Sequence, residues 1–172
     1  MYTALADFLA YPEADDRADL TAWSDYVRDE FPAASTHLDR FLRETEHLSA
    51  EELQEIYTRA FDVAPQCVPY LSVYLFGAES FKRAELMAGL KEVYERADLD
   101  CGQELPDHLA VVLRCAAAFS HEEWNELMGW CAPGPIKAMI AGLKQASSPY
   151  LHVLLAIRHV LQTQYPREFA SC

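Results

Sequence analysis

Basic residues are scarce in this chain. It has 14 Lys and Arg against 27 Asp and Glu, a formal net charge of −13 over 172 residues. A surface of that sign repels nucleic acid phosphates and anionic lipid, and it attracts basic peptides. Long apolar runs are missing too. The longest candidate, Leu151 to Leu161, is broken by His152, Arg158 and His159. No run reaches the ~18 residues of a membrane span, so stable membrane insertion is not expected. The N-terminal stretch MYTALADFLAYPEADD carries no Lys or Arg before Arg17, which argues against a secretory signal. The five cysteines, Cys67, Cys101, Cys115, Cys131 and Cys172, are odd in number and form no CxxC pair. That spacing supports neither a disulfide framework nor a zinc knuckle, and it reads as reduced thiols in a cytoplasmic protein. GxSxG, GxGxxG, the phosphate-binding GxxxxGKS/T and HExxH are all absent, so no familiar catalytic, nucleotide or metal motif is present.

What remains is helical periodicity, with no convincing strand. Leu5, Phe8 and Leu9 fit a short first helix ending before Pro12. Leu20, Trp23, Tyr26 and Val27 are expected on one face of a second, and Pro32 opens a third with Leu38, Phe41 and Leu42 inward. Ser49 and Glu52 form a capping box before the stripe Leu53, Ile56, Tyr57, Ala60, Phe61. Pro65 and Pro69 interrupt the next segment, where a short helix is expected around Leu71 to Phe76, ended by Gly77. Leu86, Leu90, Val93, Tyr94 and Ala97 share the face of a long helix, and Asp98 to Gln103 is a polar link. A helix beginning at Glu104-Leu105-Pro106-Asp107-His108-Leu109 (ELPDHL) is expected to run to about Phe119. Ser120 and Glu123 cap another with the stripe Trp124, Leu127, Met128, Cys131. Ala132-Pro133-Gly134-Pro135 is expected to break the chain, and Ile136, Met139, Ile140 and Leu143 resume it. Ser148-Pro149 opens a last helix, apolar on several faces and therefore central. The expected architecture is all-α: one compact multi-helix bundle spanning residues 1–172. Negative charge concentrates at one end, with 15 acidic and 5 basic residues in 1–62 against 12 and 9 in 63–172.

ELPDHL is the most informative string. Proline suits a first helical turn, and Glu104 and Asp107 complement the positive end of a helix dipole. Capping alone explains the carboxylates. It does not explain His108, whose cation is disfavoured there, and the mismatch points to a functional or buried hydrogen-bonded imidazole. The aromatics Tyr70, Tyr74, Phe76 and Phe81 line either a peptide groove or the core. His152 and His159 lie two turns apart, about 10 Å, too far to ligate one metal together. No metal ligand set and no catalytic residue is assigned.

The stretch from Tyr57 to Arg114 resembles the nitrate reductase delta-subunit (NarJ-like) type of molybdoenzyme chaperone, within the wider TorD group. The matching pieces are Phe61-Asp62, the YLFG of Tyr74 to Gly77, the LKEVY of Leu90 to Tyr94, and ELPDHL, in order and spacing. The resemblance implies an all-helical, TorD-like cytoplasmic chaperone without a cofactor of its own. Its implied partner is the apo catalytic subunit of a molybdopterin oxidoreductase, often met through an N-terminal twin-arginine signal or its remnant. The chaperone holds that subunit until the molybdenum cofactor is inserted, with the insertion machinery as a second implied partner. Glu104, Pro106, Asp107 and His108 correspond to the family's recognition element. Phe61, Asp62, Tyr70, Tyr74 and Phe76 complete the expected client-peptide site, in which Glu104 and Asp107 receive a client arginine. A monomer or a weak, domain-swapped dimer is expected, with 132–135 as hinge. Two other readings stay open from the residues: a small metal-dependent hydrolase using Asp107 and His108, and a permanent structural subunit of a membrane oxidoreductase.

Overall fold

A computed structural model describes residues 1–13, 16–63, 65–100, 102 and 104–170. Cys101, Gln103 and Cys172, to which roles as thiols or polar link were given, lie outside the described residues. Helices follow one another in the order α1 (Tyr2–Asp7), α2 (Asp16–Glu30), α3 (Pro32–Thr45), α4 (Ala50–Phe61), α5 (Leu71–Phe76), α6 (Phe81–Arg96), α7 (Leu109–Arg114), α8 (His121–Asn125), α9 (Pro133–Gln145), α10 (Tyr150–Gln164) and α11 (Pro166–Ala170). A 3₁₀ turn, Ala116–Ala118, follows α7, and a π-helical segment, Glu126–Cys131, follows α8. Among the described residues the β-structure is one isolated antiparallel bridge, Tyr70 with His108.

The centre is α10. It buries Tyr150, Val153, Leu154, Ile157, Val160 and Leu161, each aliphatic side chain contributing ~1.5–3 kcal/mol of transfer free energy. It packs mainly on α3 and α9, while α3 also carries α2, and α1 lies on α7. Phe41, Tyr57, Phe61 and Tyr150 form an aromatic knot with ring centroids 5.0–5.6 Å apart. The expected caps at Ser49 and Ser120 form as full capping boxes. α5 stops at Gly77, whose φ of +83° only glycine adopts without strain. At Gly142 a Cβ would overlap the carbonyl oxygen of Gln66, so α9 and the 65–67 segment meet backbone to backbone.

Several boundaries differ from expectation. Tyr26 does not share the inward face of Trp23 and Val27; it is 55% exposed. Ala97 is the exposed C-cap of α6. The ELPDHL helix starts late, at Leu109, because Pro106 and Asp107 form a turn closed by His108 N–H donating to the Leu105 carbonyl at 3.0 Å. It also ends early, at Arg114. The stripe from Trp124 to Cys131 is not a regular 3.6-residue stripe. The π segment shifts its phase, which turns Trp130 outward and leaves Cys131 half-buried. The 132–135 segment is no wide break: Ala132 alone, with right-handed helical backbone angles, separates the π segment from Pro133, the first residue of α9. Ser148 does not cap α10, whose N-cap is Pro149; its hydroxyl is buried with no partner. Helix α11 went unforeseen, being too short for a periodicity.

Candidate functional site

Two segments meet beneath the site. Pro69 and Pro106 bias the residues before them away from helix; Tyr70 is extended at the entry to α5, and His108 is extended at the entry to α7, after the turn at Pro106 and Asp107. The Tyr70–His108 bridge joins them through Leu71 N–H to the Asp107 carbonyl, 3.1 Å, and Leu109 N–H to the Pro69 carbonyl, 2.9 Å. Tyr94 on α6 donates its hydroxyl to the Pro106 carbonyl at 2.9 Å and pins the turn from the other side.

Asp107 is 0% exposed. One of its oxygens, Oδ2, accepts from the Ser72 N–H at 3.2 Å and from the Ser72 hydroxyl. Ser72 is the second residue of α5, whose own N-cap residue Tyr70 offers no capping side chain. Asp107 therefore caps a helix 35 positions away in sequence, not the one it precedes. Arg83 on α6 donates through Nε to the Ser72 hydroxyl oxygen at 2.9 Å and through Nη1 to the Ala78 carbonyl at 3.1 Å. A guanidinium thus stands behind the carboxylate with one hydroxyl between them. The other carboxylate oxygen, Oδ1, is buried with no partner among the described residues.

His108 is the N-cap of α7. Its Nδ1 accepts from the Ala110 N–H at 3.1 Å, so it is a buried, hydrogen-bonded imidazole. An accepting Nδ1 requires the neutral ring in its Nε2–H tautomer. Burial holds its pKa below the usual histidine value, against the opposing pull of Glu104 and Asp107. The ring meets Tyr70 edge-on at 5.4 Å and closes a void of about 10 Å³ lined by Phe61, Cys67, Met139 and Leu154 among others.

The rim is different. Glu104 is exposed and accepts from the Tyr70 hydroxyl at 3.2 Å. Tyr70 is pushed up to about 12, first by burial and then by Glu104, with Asp62 adding to it. Asp62, the C-cap of α4, is exposed. Among the described residues neither Glu104 nor Asp62 has a cation within ion-pair distance. Leu105 and Phe76 are exposed apolar side chains, and Pro106 is half-buried. Tyr74 is half-buried, and its hydroxyl accepts from Val68 N–H at 3.1 Å. Phe61 lies in the core.

The fold thus gathers Asp62, Tyr70, Glu104 and His108 around one point. Phe61, Asp107 and Tyr74 sit beneath or beside it, tied to other groups. Ser72 and Arg83 escaped notice in the sequence, and Tyr94 stood out only as a residue of a helix face and of LKEVY, not as a partner of this turn. One signal existed: a helix opening at Leu71 after a residue that cannot cap needs an acceptor from elsewhere. Asp107 and His108 are poorly placed for metal hydrolysis, since the carboxylate is committed to Ser72. Among the described residues no three His, Cys, Asp or Glu side chains converge as a metal site. No described helix is long and apolar enough to cross a membrane.

A protein of Bacillus subtilis (strain 168), described as a probable nitrate reductase molybdenum cofactor assembly chaperone, NarJ, is 29% identical over 160 residues, covering 90% of this chain and 86% of the relative. The sequence profile of the nitrate reductase delta subunit family matches residues 24–156, which hold α3 to α9 and about half each of α2 and α10 as well as the site just described. The chain belongs to the nitrate reductase delta subunit family.

Proposed function

We propose that this protein is a cytoplasmic maturation chaperone, one domain over its whole length. It binds the apo catalytic subunit of a molybdopterin oxidoreductase of the nitrate reductase type. It takes up an N-terminal, twin-arginine-like segment of that subunit, supports molybdenum cofactor insertion and then releases it. It works as a monomer or weak dimer, carries no cofactor and makes or breaks no bond, in keeping with a family of chaperones and not catalysts.

One observation carries the reading: two exposed carboxylates, Glu104 and Asp62, act on the Tyr70 phenol, and among the described residues neither has a cation of its own. A guanidinium entering there gains charge-assisted hydrogen bonds. Leu105, next to Glu104 in the chain, offers apolar contact there, and Phe76 is exposed at the end of α5. Asp107, His108, Pro106 and Phe61 hold this rim in place from below. Calorimetric titration with the N-terminal peptide of a nitrate reductase-type catalytic subunit from the same organism is the test. Glu104→Gln should weaken binding about fivefold while leaving melting unchanged, the scale of an exposed charge pair. Absence of wild-type binding at millimolar peptide would sink the proposal.

A further inference from the structure

A second surface lies on α1 and α2. Between the end of α1 and the outer face of α2 runs a trough of about 610 Å³. Its apolar wall is aromatic: Tyr11, Trp23 and Tyr26, the last two in edge contact at 6.0 Å. Tyr11 is 47% exposed and leans on Tyr57 at 5.4 Å. These rings do not belong to the core, because Tyr26 and Tyr11 present about half their surface to water.

The polar wall is of one sign. Glu13, Asp16 and Asp19 face the trough, and among the described residues no cation pairs with them. The basic residue next along the chain, Arg17, turns its guanidinium away to the carbonyls of Leu42 and Thr45. Asp7, at the end of the trough, has a cation in Arg114, 3.3 Å away. Tyr11 also lines an adjoining groove of about 600 Å³, where Glu51, Glu55 and Val63 lie and Gln54 and Arg59 complete the wall. Val63 follows Asp62, so the acidic track leads toward the rim at Tyr70.

From this we infer that the α1–α2 trough docks a cationic amphipathic segment of a protein partner: its apolar side chains on Trp23 and Tyr26, its arginine or lysine heads on Glu13, Asp16 and Asp19. Charge complementarity selects the occupant. Exposed aromatic faces take both alkyl stems and guanidinium planes, and unpaired carboxylates beside them supply the counter-charge. A neutral apolar peptide would leave three carboxylates facing it, and an acidic one would be repelled. This surface stands whether or not the Glu104 rim binds the subunit peptide.

The probe is a synthetic amphipathic peptide of about 18 residues, five helical turns, built from Leu, Ala and Arg, with a Glu-for-Arg copy as control. The full chain is titrated in nitrogen–proton correlation spectra. Three indole signals are available, from Trp23, Trp124 and Trp130, and the last two lie outside the trough. The Arg peptide should shift the Trp23 signal and leave Trp130, although exposed, in place. Glu13→Gln with Asp19→Asn, two surface changes, should weaken binding about tenfold at low salt. Glu85→Gln with Glu92→Gln on α6 removes the same charge elsewhere and should change it less than twofold, roughly the effect of net charge alone. Equal losses from both pairs, an unmoved Trp23 signal, or equal binding of the Glu peptide would overturn the inference. Glu104→Gln with the subunit peptide is a separate measurement, so either reading can fail alone.

Discussion

Replacing Asp107 separates the anchoring of the site from its contacts. Asp107→Ala removes the oxygen that accepts from the Ser72 amide and hydroxyl. A hydrogen bond to a charged acceptor contributes ~1.5–3 kcal/mol, so two are ~3–6 kcal/mol. The orphaned Oδ1 also disappears, and relief of its desolvation returns ~1–3 kcal/mol. The net expected loss is about 2–4 kcal/mol. In a protein of this size 1 kcal/mol moves Tm by ~2–4 °C, so melting should fall by ~10 °C. Asp107→Asn keeps an acceptor toward Ser72 but places an unpaired amide where Oδ1 was, at a cost of about 1–2 kcal/mol. Peptide affinity per folded molecule should be unchanged in both. Thermal melts and calorimetric titrations on the same samples decide it. An Asp107→Asn protein that melts like wild type and binds tenfold or more weakly would refute the capping role and make Asp107 the arginine receptor.

A stacked imidazole cluster joins α3 to α10: His37 lies 5.8 Å from His152 and 5.2 Å from His159. Burial lowers all three pKa values; His37 and His159 are also opposed by Arg158, and His37 by Arg40, while Glu44 partly restores His152. Because the folded values lie below the unfolded one of about 6.5, this contribution is complete above pH ~6.5 and is lost as pH falls through the folded values. Tm should therefore drop as pH falls below about 6.5, and His37→Phe should flatten that drop; an unchanged slope would exclude the cluster as its source. At Gly142, substitution by alanine pushes a methyl into the Gln66 carbonyl; a loss of about 1–3 kcal/mol in urea unfolding is expected, and a neutral result would show that the 65–67 segment yields easily.

Elements whose cues are local were legible. Capping boxes at Ser49 and Ser120, Pro32 at a helix start and Gly77 at a helix end act within one turn, and each stands where its residues indicate. The centrality of α10 followed from apolar residues on several faces. Features set by distant partners were hidden. Pro106 reads as a first-turn proline, yet the Tyr70 bridge and the Tyr94 hydroxyl hold it outside the helix. Asp107 reads as a local cap, and its true partner is Ser72. His108 was the telling residue: its poor fit to a helix start pointed to a buried imidazole, and it is one. The π segment at Glu126–Cys131 left no sequence mark, since an inserted residue shifts the phase of a stripe without altering its composition.

The long-range cap also orders events in time. α5 has six residues, too few to persist alone, and its second amide waits on a carboxylate from a segment not yet docked. α5 should thus close only after the 104–108 turn has reached its place, late in folding, as contacts of large sequence separation do. The same dependence runs in reverse in the native state. Any opening of the turn bares the Ser72 amide to water, so the exchange rate of that one hydrogen reads how often the 104–108 turn lifts off its base.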